Sequence, residues 1–168
     1  MKRVIVLSAL AALLMVSDAS AVRADYEGMA VGVWRVTARA GRFDAGGSYW
    51  ALSDGRVFTL GVRCIEKKLT IGLHPLRRYR MQDGDGFAMK LRVDKGPIVE
   101  AFGEAISDQL IVASTDEKQQ LGALIKQMQS GAELAIRIEG QWRWDEDVFR
   151  LNGANLAFSD LTKECPLD

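Results

Sequence analysis

The chain has 168 residues, with 22 lysines and arginines against 22 aspartates and glutamates and a single histidine. That balance argues against nucleic acid as the main partner and against strong attraction to anionic lipid, both of which call for a basic excess. One histidine and two cysteines leave no spacing typical of a metal centre.

The first segment reads as a secretory signal. Met1-Lys2-Arg3 is basic, Val4 to Val16 is apolar except for Ser8, and Ala19-Ser20-Ala21 offers small residues for a signal peptidase. The expectation is a signal peptide over 1–21, with cleavage after Ala24 as the second site. The apolar run is 13 residues, whereas a spanning helix needs about 20. No cysteine follows the run to accept a lipid. The reading is therefore a periplasmic or secreted protein with no stable membrane insertion after cleavage. Residues 22–168 fit a single β-rich domain, with a net charge of about −1 once Lys2, Arg3 and Asp18 are removed.

Cys64 and Cys165 are the only cysteines. In an oxidising compartment an even pair reads as one disulfide. It closes a loop of about 100 residues, for which the chain-entropy model assigns about 4.7 kcal/mol. A redox role is disfavoured, because there is no Cys-x-x-Cys spacing.

After a loose lead-in over 25–30, the chain reads as strand after strand. Val31 to Val36 alternates. Tyr49 to Leu52 stops at Ser53-Asp54-Gly55, a hairpin signal. Val57 to Cys64 is rich in β-branched and apolar residues, as in a core strand. Leu69 to Leu73 alternates until Pro75, which has no N–H for the ladder. Asp83-Gly84-Asp85-Gly86 is a turn. Phe87, Met89, Leu91 and Val93 then alternate with Ala88, Lys90, Arg92 and Asp94, giving one buried and one wet face. Ile98 to Ala101 and Gln109 to Ala113 are further strands.

The period then changes. Ser114-Thr115-Asp116-Glu117 has the form of a capping box. Leu121, Leu124, Ile125 and Met128 form one helical stripe, and Gly131 stands where that helix stops. Leu134, Ile136 and Ile138 return to alternation. Val148 to Leu151 is a late strand ended by Asn152-Gly153. Phe158, Leu161 and Cys165 share one face of a second short helix over 154–164. The predicted fold is mainly β: an antiparallel β-sandwich or partly open barrel with one or two short α-helices and one disulfide.

Few residues suggest chemistry. His74 has no second histidine beside it, and no Gly-x-Ser-x-Gly elbow is present. Asp83 to Gly86 resembles the start of a calcium loop, but the segment that should continue it reads as strand. Glu100, Glu104 and Asp108 define no catalytic acid pair. No cofactor motif, metal set or catalytic group is assigned, and the expectation is a non-enzymatic protein.

Two surface patches are candidate partner contacts. Arg77, Arg78 and Arg80 form the densest basic cluster, suited to a phosphate or an acidic partner, or simply solvated at a turn. Trp142 and Trp144 stand in an acidic run through Asp147. In an extended segment they share one face, either to grip a sugar or protein or to cap the core edge.

Several landmarks fall in a telling order: the tryptophan strand at Trp34, Leu60-x-x-Arg-Cys64, and Leu91-Arg-Val-Asp-Lys-Gly-Pro97. A helix over 116–129 then precedes Leu134-x-Ile-Arg137, and Phe149-Arg-Leu-Asn-Gly153 leads through a helix to Cys165. This order resembles a family of small exported bacterial proteins, the invasion-associated locus B proteins and the periplasmic accessory proteins encoded with type VI secretion systems. The resemblance spans roughly Val31 to Cys165. It implies a β-sandwich with one disulfide and transfers no catalytic residue. The Trp142–Asp147 and Arg77–Arg80 patches depart from it.

The functional expectation is an exported accessory or protein-binding module of the bacterial envelope, secretion- or invasion-associated, with an unidentified envelope protein as partner. The alternative is a carrier of a small apolar ligand in a barrel mouth, and after it a carboxylate-dependent hydrolase.

Overall fold

A computed structural model describes residues 25–39, 47–77, 79–114, 118–140, 144–165 and 167. The signal segment, Arg78 and Trp142 lie outside the described residues, as do 115–117 of the capping box. The strands are β1 (Tyr26–Val31), β2 (Trp34–Arg39), β3 (Ser48–Asp54), β4 (Phe58–Ile65), β5 (Lys68–Pro75), β6 (Gly86–Val93), β7 (Val99–Ser107), β8 (Leu110–Ser114), β9 (Glu133–Glu139) and β10 (Trp144–Arg150). They form one antiparallel sheet in the order β1-β2-β3-β4-β5-β8-β7-β6-β9-β10. The sheet is continuous and not closed, so the described fold is mainly β, as expected, with β1 and β10 as its two edges.

Alternation explains the sheet strand by strand. In β4, Phe58, Leu60, Val62 and Cys64 are buried while the residues between them are partly exposed. In β6 the buried set is Phe87, Met89, Leu91 and Val93. Antiparallel register places like residues opposite each other, with Leu60 against Leu73 and Val62 against Ile71. Each such row removes apolar surface from water on one face only. Pro75 sits at the end of β5, beyond the three residues that pair with β8, so its missing N–H breaks no ladder bond there.

The residues expected as a loose lead-in form β1 instead. The strand is mostly exposed, so its sequence has no alternation to read. It also carries an irregularity between Tyr26 and Met29, where Gly28 adopts a positive φ and donates its N–H to Thr37 Oγ1. The single strand expected over Val31 to Val36 is interrupted by a turn at Gly32. Gly32 has φ 61°, and a Cβ there would collide with the Asn152 carbonyl. The next residue, Val33, donates its N–H to that same carbonyl at 3.1 Å. Glycine is needed at this point because the first hairpin rests directly on the chain leaving β10.

Helix α1 (Lys118–Ser130) buries Leu121, Leu124, Ile125 and Met128, the predicted stripe, and Gly131 donates to the Gln127 carbonyl at its end. The helix expected over 154–164 is two pieces, α2 (Ala154–Ala157) and α3 (Ser159–Glu164). The break at Phe158 accompanies an edge-on contact with Trp34, the ring centroids 4.8 Å apart. Tyr49 donates its hydroxyl to the Ala157 carbonyl. Cys165 follows α3 and forms the predicted disulfide with Cys64, with Cα atoms 5.9 Å apart. The C-terminal helices are thus fastened to β3 and β4.

Asp147 ties the far edge back toward the start of the sheet. It points inward from β10 and is 4 % exposed. Its carboxylate accepts the backbone N–H groups of Arg56 and Val57, in the β3–β4 turn, and of Phe58, the first residue of β4, at 2.8–3.0 Å. An inward charge on an edge strand also resists pairing with a foreign strand. With β10 held in this way and β1 interrupted at Gly28, neither edge is a long flat template for strand addition.

Candidate functional site

The site lies at the end of the sheet where β5 passes to β6 and β10 begins. After Pro75 the chain runs irregularly to Gly86. Tyr79 and Met81 turn inward, at 8 % and 5 % exposure, and this throws Arg80 outward. The Tyr79 ring packs between Phe58 and Phe87, with centroids 5.8 and 6.3 Å away. Arg77 is also exposed. The Asp83–Gly86 segment is the predicted turn: Gly84 has φ 86° and Asp85 accepts the Gln82 N–H at 2.7 Å. Two backbone hydrogen bonds with Ala105 then pin this turn to β7.

Strand β10 alternates its residues across the sheet. Asp145, Asp147 and Phe149 face one way, while Trp144, Glu146 and Val148 face out. Trp144 is 64 % exposed. The Arg137 guanidinium lies over its ring, 5.5 Å from the centroid. Arg137 stands opposite Glu146 in the β9–β10 ladder and forms an ion pair with it. Glu139, opposite Trp144, lies 4.0 Å from both Arg137 and Lys90. One face of the indole is therefore supported by a charged lattice, which limits its rotamers and leaves a large apolar surface in water.

The two patches singled out in the sequence meet here. Tyr79 donates its hydroxyl to Asp145 Oδ2 at 2.9 Å. Arg80 and Trp144 are the immediate neighbours of the two residues so joined. The acids of segment 144–147 do not all stand free in water. Asp145 accepts from Tyr79, Glu146 pairs with Arg137, and Asp147 is spent on the backbone of the β3–β4 turn. Each of these acids is held by a partner within the protein, and Trp144 is the exposed apolar residue among them.

The other candidates are placed apart. His74 is exposed at the end of β5, with Nδ1 3.0 Å from the Pro75 carbonyl oxygen. Glu100 and Glu104 point out from β7, and Asp108 lies in the turn to β8. Among the described residues, no three His, Cys, Asp or Glu side chains gather in a way that could hold a metal ion. No helix among them is long and apolar enough to cross a membrane.

Sequence reasoning placed Tyr79 and Asp145 within the two patches but missed the bond between them, and it missed Arg137 as the support of Trp144. The inward Asp147 had a signal: it shares the parity of Phe149, and a buried Phe149 puts it on the core side. No family model, curated protein or solved structure matches this chain.

Proposed function

We propose that this protein is an exported, non-enzymatic accessory protein of the bacterial envelope, and that it works by binding another protein. The observation that carries this reading is the exposed Trp144, supported by Arg137 and adjacent in sequence to Asp145, whose carboxylate takes the hydroxyl of Tyr79, the neighbour of Arg80. Tryptophan and arginine are the residues most enriched where protein contacts concentrate their energy. An indole held over a guanidinium is also ordered before a partner arrives, which lowers the entropy cost of docking.

Export is supported by the basic start, apolar run and small residues of 1–21, and by the disulfide, which suits an oxidising compartment. The order of landmarks favours a place among the secretion- or invasion-associated periplasmic proteins it resembles. A protein-binding role is preferred over ligand carriage because large side chains converge on the inner face, with Trp34 meeting Phe158 and Tyr79 meeting both Phe58 and Phe87.

The test is affinity capture from envelope extract with wild-type protein and with Trp142 and Trp144 both replaced by alanine. The expected result is one or more proteins retained by the wild type and absent from the variant, with both forms equally folded. The same proteins on both columns would remove the surface from consideration.

A further inference from the structure

We infer that the partner places a lysine or arginine side chain on the open face of the Trp144 indole, with Glu139 and Glu146 beside it to hold the charge. This inference deepens the protein-binding reading above and rests on it.

Strand register sets the neighbours of the indole. Glu139 stands directly opposite Trp144 on β9, and Glu146 follows two positions along the same face of β10. Arg137, opposite Glu146, sits diagonally across and lays its guanidinium on the ring. Asp145 adjoins Trp144 in the chain. A carboxylate that accepts a hydrogen bond keeps its charge. Among the described residues, three carboxylates therefore surround the indole against one guanidinium. Lys90, which is 4.0 Å from Glu139, and Asp147, on the core side of β10, cancel each other one step further out. The surroundings of Trp144 are acidic although the chain as a whole is balanced.

The ring itself favours the same sign. An aromatic face is electron-rich and attracts cations, and tryptophan does so most strongly. Arg137 takes one face of the indole, while Trp144 stays 64 % exposed, and among the described residues no other cation or ring lies on it. The Arg137 charge is answered by its ion pair with Glu146, which lowers its repulsion of a second cation. Glu139 lies 4.0 Å from both Arg137 and Lys90, the outer limit of an ion pair, and its side chain is 43 % exposed. A carboxylate has room for several donors, so Glu139 can take an ammonium or guanidinium N–H from the partner. An apolar side chain on the indole would instead strip water from Glu139 and Glu146 and give them nothing in return.

The test uses the full mature protein and two labelled peptides, identical except that lysines at alternate positions in one are glutamines in the other. A trimer of N-acetylglucosamine forms a third arm, since an exposed indole also stacks on sugars. The expected result is binding of the lysine peptide at least about fivefold tighter than the glutamine peptide, the worth of one cation–π contact. Trp144→Ala should bring the two peptides to the same affinity, and Glu139→Gln should narrow the difference, with both variants folded as the wild type. Equal affinity for the two peptides, no binding of either, or a preference unchanged in either variant overturns the inference, as does tighter binding of the sugar. If envelope capture depends on Trp144 while the lysine peptide has no advantage, protein binding stands and the basic side chain falls. If capture is the same without Trp144, both fall.

Discussion

Tyr79 and Asp145, 66 positions apart, share a hydrogen bond of 2.9 Å, which ties the chain between β5 and β6 to the start of β10. Neither residue is remarkable by itself. One belongs to a basic loop and the other to an acidic strand, and only the fold joins them. A phenolic donor on a carboxylate makes a charge-assisted bond, and Tyr79 makes it with its ring seated in the core.

This pairing can be isolated by a double-mutant cycle on Tyr79→Phe and Asp145→Asn. Each single change should lower stability by about 1–2 kcal/mol. Urea denaturation of the four proteins should show a coupling of about 1 kcal/mol, the two losses failing to add. Additive losses would mean that the bond contributes nothing of its own.

Asp147 should matter more for stability than its place in an acidic run suggests. Asp147→Ala leaves three backbone N–H groups without their acceptor, and a loss of about 3 kcal/mol is expected. Asp147→Asn keeps one acceptor oxygen and should cost less. A change in the alanine variant within about 0.5 kcal/mol, the range of ordinary surface substitutions, would contradict the account.

The disulfide is the firmest link between sequence and structure. Protein denatured without reductant should show no free thiol. Replacing both Cys64 and Cys165 with alanine should lower stability by about 3–5 kcal/mol, because the bridge constrains a separation of 101 residues. Two free thiols would count against both the bridge and an oxidising compartment.

Asp54 makes the clearest pH-dependent contribution. The two-pronged hydrogen bond from Arg35, then the Thr59 hydroxyl, hold its carboxyl below the ordinary carboxylate value, against a smaller opposing effect of burial, and the Arg35 charge adds to the lowering. A pKa lowered by folding means stability that is present above the unfolded value and lost as pH falls through the folded one. The pair is about half exposed, so the contribution stays below about 1 kcal/mol. A carboxyl-resolved titration should place Asp54 below an unfolded reference, and Arg35→Ala should move it back up. An unmoved midpoint in that variant would assign the shift elsewhere.

Strands with one wet and one dry face were legible without coordinates. Phe87 to Val93 and Leu134 to Ile138 could be read directly because their periodicity is set by burial. Strand β1 was not, since an exposed edge strand buries too little to leave a pattern. The helix over 154–164 was legible in its stripe but not in its break at Phe158, which coincides with a tertiary contact to Trp34. The candidate surface divides in the same way. Trp144 and the arginines stand out by residue type, whereas the pairing of each acid depends on neighbours distant in sequence. That pairing fixes where the acids of the run point and leaves Trp144 exposed beside them.

The most direct test of the central claim is photo-crosslinking in intact cells, with benzoylphenylalanine placed at Trp144 and, as a remote exposed control, at Leu156 on α2. The account predicts one discrete adduct from position 144 and none from 156. No adduct from 144, or the same adduct from both positions, would contradict it.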